Sequence, residues 1–166
     1  MKTSLRKRLF AWVMNMGESL NRKLYGPFKR DLFRNLKGIV VEIGPGTGIN
    51  FNYLPAGTTW LGVEPNEAFH KMLLSHANEK GIQATLLAGN ASSIPLPDNS
   101  ADAMICTLVL CSVTNPATAL TEMKRVLKPG GKLVFIEHVA APKKSGLRYV
   151  QDVINPVNRA LADGCN

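Results

Sequence analysis

The sequence predicts an α/β fold, a doubly wound sheet with about five parallel strands. Strand-like and helix-like segments alternate from residue 38 onwards, which is the order that a parallel sheet requires. The segments of strand character are short and apolar almost throughout, as expected for strands that helices cover on both faces. A chain of 166 residues suffices for one such domain with its own core.

The individual elements are predicted from apolar periodicity and from turn residues. Strands are predicted over residues 38–43, 59–64, 82–88, 102–108 and 132–138. Helices are predicted over 47–54, over 66–80, from Pro116 to a stop at Pro129-Gly130-Gly131, and over 149–162 with an interruption near Pro156.

The positive charge of the chain belongs to its first 37 residues. The net charge is +8, and residues 1–37 carry ten lysines and arginines against two acids. We therefore divide the chain into a basic N-terminal helical extension, residues 1–37, and a neutral domain, residues 38–166.

Two interpretations of the extension stay open, because its apolar residues share one helical face. In the first, residues 1–24 contact an anionic membrane surface peripherally. In the second, the helix packs over the domain and keeps its charges in solvent. The apolar residues are Leu5, Leu9, Trp12, Val13, Met16, Leu20 and Leu24.

The three cysteines show neither a paired framework nor the spacing of metal ligands, and no metal site is predicted. Cys106 and Cys111 lie in an apolar stretch and are interpreted as core thiols. A reducing compartment is the expectation, which indicates a cytoplasmic protein with a membrane surface as its second location. Neither a cleaved signal peptide nor a bilayer-spanning run is predicted.

The segment VEIGPGTG, residues 41–48, places three glycines directly after the first predicted strand. A strand, a glycine turn and a helix start admit a nucleotide-like ligand close to the backbone. The G-x-G-x-G spacing differs from the G-x-G-x-x-G of dinucleotide sites, and the G-K-[ST] of a phosphate loop is missing. A carboxylate at Glu42 would repel a pyrophosphate and suit an ammonium group. A structural ion pair is the alternative role for Glu42.

Two residues at later strand ends point to an adenosine ligand. Glu64 ends the second predicted strand, where an acid accepts both ribose hydroxyls. This feature suits NAD and S-adenosylmethionine alike. Asn90 follows the third predicted strand, where its amide would either bind an adenine edge or stabilise its own turn.

Several segments in this order resemble the class I S-adenosylmethionine-dependent methyltransferases, small-molecule branch. They are VEIGPGTG, GVEPN, GNASSIPLPDNSAD and LTEMKRVLKPGGKLVFIEH. With CTLVLCSV, FIEHVA and NPVNRALADGCN, the chain is similar to methyltransferases that act on thiols at membranes, to quinone-biosynthesis C-methyltransferases and to bacterial phospholipid N-methyltransferases. The resemblance covers residues 25–166. It implies a Rossmann-like fold and S-adenosyl-L-methionine as the cofactor.

The resemblance also implies which residues bind the cofactor. Many relatives have aspartate where this chain has Asn90, which would weaken the contact with adenine without abolishing it. The implied sets are the methionine side (Glu42, Gly44, Gly46, Gly48), the ribose (Glu64, Pro65), the adenine (Asn90, Ala91) and the sulfonium and acceptor (Thr107, Leu108).

The implied reaction is methyl transfer by in-line displacement to a small or lipophilic acceptor: a thiol, a quinone-like carbon or a phospholipid amine. Positioning supplies much of the rate in such a transfer, so a catalytic triad is not expected. His138, at the carboxyl end of the fifth predicted strand, is the candidate base or substrate contact. Nucleic acid is not an expected acceptor, because Asn115-Pro116 lacks the following Pro-aromatic pair that would stack a flipped base.

Relatives of this fold carry about seven strands, and the chain would lack strands 6 and 7. Residues 132–138 would then form an exposed apolar edge, open to a partner strand or to a second copy. The alternative function is a truncated or partner-dependent cofactor-binding remnant without independent activity. A nucleotide-binding oxidoreductase is the third hypothesis.

Overall fold

The computed structural model describes residues 5–161, leaving out the side chains of Arg6 and of residues 156–161. Five strands form one parallel sheet in these residues, with the order β3-β2-β1-β4-β5. The predicted fold class is therefore confirmed. The strands are β1 Ile39–Ile43, β2 Thr59–Val63, β3 Gln83–Leu87, β4 Ala101–Thr107 and β5 Leu127–Ile136; the helices are α1 Leu5–Met16, α2 Glu18–Phe33, α3 His70–Glu79, α4 Pro116–Val126 and α5 Gly146–Leu161.

Some predicted boundaries are wrong for local reasons. The helix predicted over 47–54 is a single 3₁₀ turn, Ile49–Asn52, because the glycine loop occupies the residues before it. The helix predicted from residue 66 begins only at His70. The predicted stop at Pro129-Gly130-Gly131 lies within β5, where the register with β4 shifts. The helix α5 runs through Pro156 without the predicted interruption, and residue 162 lies outside the described part of the chain.

The sheet has a packed layer on each face because successive side chains of a strand point in opposite directions. On one face, Val41 and Ile43 pack with Ala119, Met123 and other side chains of α4. On the other face, helix residues cover Val40, Ala103 and Ile105, and a third cluster joins α3 to the start of β2. The residues of these two clusters that come from outside the sheet include Phe33, Leu36, Phe51, Leu73 and Ala77.

The N-terminal extension packs against the domain, but not through its predicted apolar stripe. Phe33 of α2 is fully buried in the core. The ring of Phe10 on α1 contacts the ring of Phe69 edge-on, at 5.9 Å between centroids. All seven residues of the stripe are exposed: Leu9 and Trp12 are among those on the outer surface, whereas Val13, Leu20 and Leu24 line a cavity. The extension is two helices broken at Gly17, and no described helix is both long and apolar enough to cross a bilayer.

The strand β5 lies at the edge of the sheet and hydrogen-bonds to β4 among the described residues. Phe135 is exposed over 57% of its surface, whereas Val134 faces the core. Among the described residues, the edge strand therefore presents an exposed apolar side chain at Phe135, as the sequence predicts.

Candidate active site

A cavity of about 660 Å³ lies beyond the carboxyl ends of β1, β2 and β4. Sites for small molecules commonly measure roughly 300–1,000 Å³. Loops that follow the strands form one wall, and α1 and α2 form the opposite wall. The strand side carries most of the polar groups, whereas the helix side contributes many apolar ones. The apolar helix residues are Phe10, Val13, Met14, Leu20 and Leu24.

The glycine loop forms the edge of this cavity after β1. Gly44 has a φ of 60°, and a Cβ there would lie 2.6 Å from Cγ2 of Val109. Gly46 has a φ of 56°, but a Cβ there would meet no atom within 4 Å. Gly46 thus leaves open space beside its backbone, as a ligand approaching closely requires. Gly48 lies away from the cavity lining and packs on Phe51, so its placement differs from that of the other two.

Glu64 joins the end of β2 to the glycine loop. Its Oε2 accepts a hydrogen bond from the backbone N–H of Gly46 at 3.0 Å. Its Oε1 accepts one from the backbone N–H of Asn66 at 2.8 Å. The carboxylate is largely buried and lines the cavity. Pro65 lines the cavity beside it. A carboxylate oxygen can accept more than one hydrogen bond, including one from a ligand hydroxyl.

Glu42 lies beneath the cavity and does not line it. Its side chain accepts hydrogen bonds from Nδ2 of Asn50 at 2.6 Å and from Nε1 of Trp60 at 2.9 Å. Burial raises the pKa of this carboxyl, and the two hydrogen bonds oppose that rise. The amide of Asn50 also donates to Oγ1 of Thr107 at 3.0 Å. Glu42 therefore links the first strand to the fourth through Asn50.

The remaining predicted residues come together around the same cavity: Asn90, Ala91, Thr107 and Leu108 all line it. The side chain of Asn90 accepts a hydrogen bond from the backbone N–H of Ser92 at 2.9 Å. It therefore stabilises its own turn, which was the alternative role, while also facing the cavity.

Sequence reasoning missed Glu137, which holds the loop after β4. Its Oε1 accepts hydrogen bonds from the backbone N–H groups of Val109 at 3.0 Å and Leu110 at 3.1 Å. It also accepts one from Sγ of Cys106 at 3.4 Å. Leu108, just before these donors, has a φ of 59° that is unusual for leucine. In the sequence, the one indication of this role is the position of Glu137 directly after β5.

Sequence reasoning also missed a role for Lys29, which it counted only as one of the ten basic residues of the extension. Lys29 is 1% exposed and lines the cavity from α2. Its Nζ donates to Oδ1 of Asn21 at 3.0 Å. Burial lowers the pKa of Lys29 from its ordinary value of 10.5 to about 8, against the opposing charges of Glu42 and Glu18.

His138 lies at the rim of the cavity, where it is exposed. Its Nε2 is 3.4 Å from the hydroxyl oxygen of Tyr25 on α2. Of the two thiols interpreted as core residues, Cys106 is buried and Cys111 is half-buried. Burial raises the pKa of the Cys106 thiol, which keeps it protonated and poorly nucleophilic.

The donor set of this cavity fits S-adenosylmethionine. Gly46 leaves space for close approach to the backbone, and Glu64 offers a carboxylate of the kind that accepts ribose hydroxyls. On the opposite side of the cavity, α1 and α2 contribute both apolar and polar side chains, and His138 lies at the rim.

Comparison with known proteins agrees with this fit. A family model described as a methyltransferase domain matches residues 41–135. The thiol S-methyltransferase TMT1B of Rattus norvegicus is 37% identical over 171 residues, which cover 96% of this chain and 70% of that protein. The C-methyltransferase UbiE of ubiquinone and menaquinone biosynthesis from Shewanella frigidimarina is 37% identical over 121 residues, 69% of this chain and 47% of that protein.

A solved structure extends the comparison to the fold. The SAM-dependent methyltransferase of Thermotoga maritima superposes with a TM-score of 0.63 at 25% identity, covering 95% of this chain and 72% of that one. The chain spans 61–70% of the length of the mammalian thiol S-methyltransferases that it matches. The chain belongs to the class I S-adenosylmethionine-dependent methyltransferases, in their small-molecule branch.

Proposed function

We propose that this chain transfers a methyl group from S-adenosylmethionine to a small lipophilic thiol. The observation that carries the proposal is a group of five apolar side chains that α1 and α2 bring to the cavity, opposite the polar groups of the strand ends: Phe10, Val13, Met14, Leu20 and Leu24. Apolar contacts of this kind suit an acceptor that leaves water readily. The relatives named as thiol S-methyltransferases support a thiol over a quinone-like carbon or a phospholipid amine.

We assign the cofactor contacts as follows. Glu64 accepts the ribose hydroxyls beside Pro65, and Asn90 with Ala91 meets the adenine. Gly44 and Gly46 allow the methionine side of the cofactor to approach the backbone. Glu42 and Gly48 do not contact the cofactor and instead hold β1 and the glycine loop in place. Thr107 and Leu108 face the acceptor.

The bound cofactor supplies a methyl group already activated by its sulfonium, so the protein's task is positioning. Asn50 holds the Thr107 side chain at the end of β4. Glu137 fixes the backbone of Val109 and Leu110 beside it. The apolar side chains of α1 and α2 that line the cavity offer contacts that orient a lipophilic acceptor beside these residues.

His138 is the candidate base for a thiol acceptor. A free thiol has a pKa near 8.5 and reacts as its thiolate, so a base at the rim increases the reactive fraction at neutral pH. The rim position and the neighbouring hydroxyl of Tyr25 support this role.

Two contacts with partners complete the proposal. The exposed apolar residues of α1 and α2, with the positive charge of residues 1–37, suit peripheral binding to an anionic membrane, through which a lipophilic acceptor would arrive. The apolar edge of β5 suits a partner strand or a second copy.

The test is transfer of labelled methyl from S-adenosylmethionine to three acceptors: an alkyl thiol, a demethylated quinol and a phosphatidylethanolamine vesicle. We expect label on the thiol, and a Glu64→Ala variant that loses it while Glu67→Ala, an exposed acid nearby, does not. Label on the quinol or the lipid amine alone would refute the thiol assignment, and label on none would refute the activity.

A further inference from the structure

The lysine at position 29 is the feature of the cavity that the assignments above leave without a role. Its side chain is 1% exposed, and the cavity is the space that it borders. Its Nζ bonds to Asn21, a neutral acceptor. Among the described residues, none of the ion pairs within 4.0 Å includes Lys29. A buried ammonium without a contacting carboxylate is costly, so an anion entering the cavity would be favoured here.

The groups around Lys29 come from three parts of the fold. Glu18 and Asn21 belong to α2, Glu42 lies in β1, and the ring of Tyr53 lies 6.0 Å from Nζ. The two acids act on Lys29 through space without contacting it, and they hold its pKa above the value that burial alone would give. The ammonium therefore remains available below about pH 8.

Two anions could enter this cavity: a carboxylate from the amino-acid end of the cofactor, or the thiolate of the acceptor. The position of Lys29 favours the carboxylate. Lys29 lines the same cavity as Gly44 and Gly46, the two glycines assigned above to the amino-acid end of the cofactor. An ammonium has three donors, and Asn21 takes one, so two remain for the two oxygens of a carboxylate.

We propose that Nζ of Lys29 binds the α-carboxylate of S-adenosylmethionine, with Asn21 positioning the lysine. This inference rests on the proposed function, because it requires that cofactor. It gives the N-terminal extension a direct part in cofactor binding. The helix α2 thereby closes the cavity from the side opposite the glycine loop.

The test uses three ligands that differ at the amino-acid end: S-adenosylmethionine, its decarboxylated form, and 5′-methylthioadenosine, which lacks the whole amino acid. Calorimetric titration measures the affinity of each for the intact chain, for Lys29→Met and for Lys23→Met. Lys23 is the matched control because it lies on the same helix and is exposed. A variant without a buried charge is expected to fold, and its thermal unfolding verifies this.

We expect the intact chain and Lys23→Met to bind S-adenosylmethionine about tenfold to a hundredfold more tightly than the decarboxylated form, as a charge-assisted pair implies. In Lys29→Met that preference is expected to vanish, while the affinity for 5′-methylthioadenosine stays unchanged. A preference that persists in Lys29→Met would overturn the proposal. A thiolate role would show instead as unchanged cofactor affinity with a lowered kcat/KM for the thiol.

The same titrations separate this inference from the proposed function. If the intact chain binds none of the three ligands, the cofactor assignment itself fails. If the intact chain prefers S-adenosylmethionine and Lys29→Met keeps that preference, the cofactor assignment stands and only the role of Lys29 is refuted.

Discussion

Glu64 accepts a hydrogen bond from the backbone N–H of Gly46 at 3.0 Å, and these two residues join the ends of neighbouring strands. Its other oxygen accepts from the backbone N–H of Asn66. The carboxylate is thereby held in one orientation at the cavity, before any ligand enters. Groups fixed in advance bind with less loss of conformational entropy than mobile ones.

Replacement of Glu64 by alanine is expected to weaken S-adenosylmethionine binding by more than about tenfold, because each charge-assisted hydrogen bond contributes roughly 1.5–3 kcal/mol. The measurement is calorimetric titration. Glu67→Ala, at an exposed acid three residues along, is the control and should bind as the intact chain does. Unchanged affinity in Glu64→Ala would remove this residue from the site.

A pair of glycine substitutions separates backbone strain from loss of the ligand space. Gly46 and Gly57 both have positive φ, 56° and 76°, and a Cβ at either would meet nothing within 4 Å. Both alanine variants are expected to lose about 1 kcal/mol of stability. Only Gly46→Ala should lose cofactor affinity, because only Gly46 lines the cavity. Equal affinities for the two variants would contradict the placement of the ligand at Gly46.

The carboxylate of Glu137 is expected to stabilise the loop after β4. Its removal in Glu137→Ala leaves the partly buried N–H groups of Val109 and Leu110 without their acceptor, at a cost of about 1 kcal/mol for each, the low end of the range for an unsatisfied donor. Glu137→Gln keeps a carbonyl oxygen there and should retain most of the stability. Urea unfolding measures both variants. An alanine variant as stable as the glutamine variant would show that this acceptor is dispensable.

The lowered pKa of Lys29 predicts a dependence of stability on pH. The folded state releases this proton near pH 8, whereas the unfolded chain keeps it to about 10.5. Stability of the intact chain should therefore rise with pH across that window, by on the order of 2 kcal/mol relative to Lys29→Met. Urea unfolding of both chains at pH 7.5 and pH 10 tests this. A constant difference between them would show that Lys29 titrates normally.

Membrane contact is tested at outward-facing side chains, because deleting the extension would remove a wall of the cavity. Leu9 and Trp12 are exposed and do not line the cavity. We expect the double variant Leu9→Asp, Trp12→Asp to be released from phosphatidylserine vesicles in a sedimentation assay. Leu74→Asp, at an exposed leucine of α3, should remain bound. An intact chain that does not sediment with the vesicles would exclude the contact.

Local patterns predicted the number and order of the strands, because the strands other than β5 are short segments bounded by turn residues. The start of β5 was predicted wrongly, because this strand includes Pro129-Gly130-Gly131. Local patterns also placed Gly46, Glu64 and Asn90 at strand ends, which the fold brings together. They did not find Lys29 or Glu137, whose partners depend on packing between distant segments; Glu137 lies 28 residues from Val109. In the sequence, a buried lysine of a basic helix cannot be distinguished from a solvent-exposed one, because the sequence does not show which face of the helix is buried.

The claim that most of this account depends on is that the cavity binds S-adenosylmethionine at Glu64 and the glycine loop. Calorimetric titration of the intact chain with S-adenosylmethionine and with NAD, repeated on Glu64→Ala and Glu67→Ala, tests it most directly. The account predicts binding of S-adenosylmethionine alone, lost in Glu64→Ala and retained in Glu67→Ala. Binding of NAD alone, or S-adenosylmethionine affinity that is equal in all three chains, would contradict it.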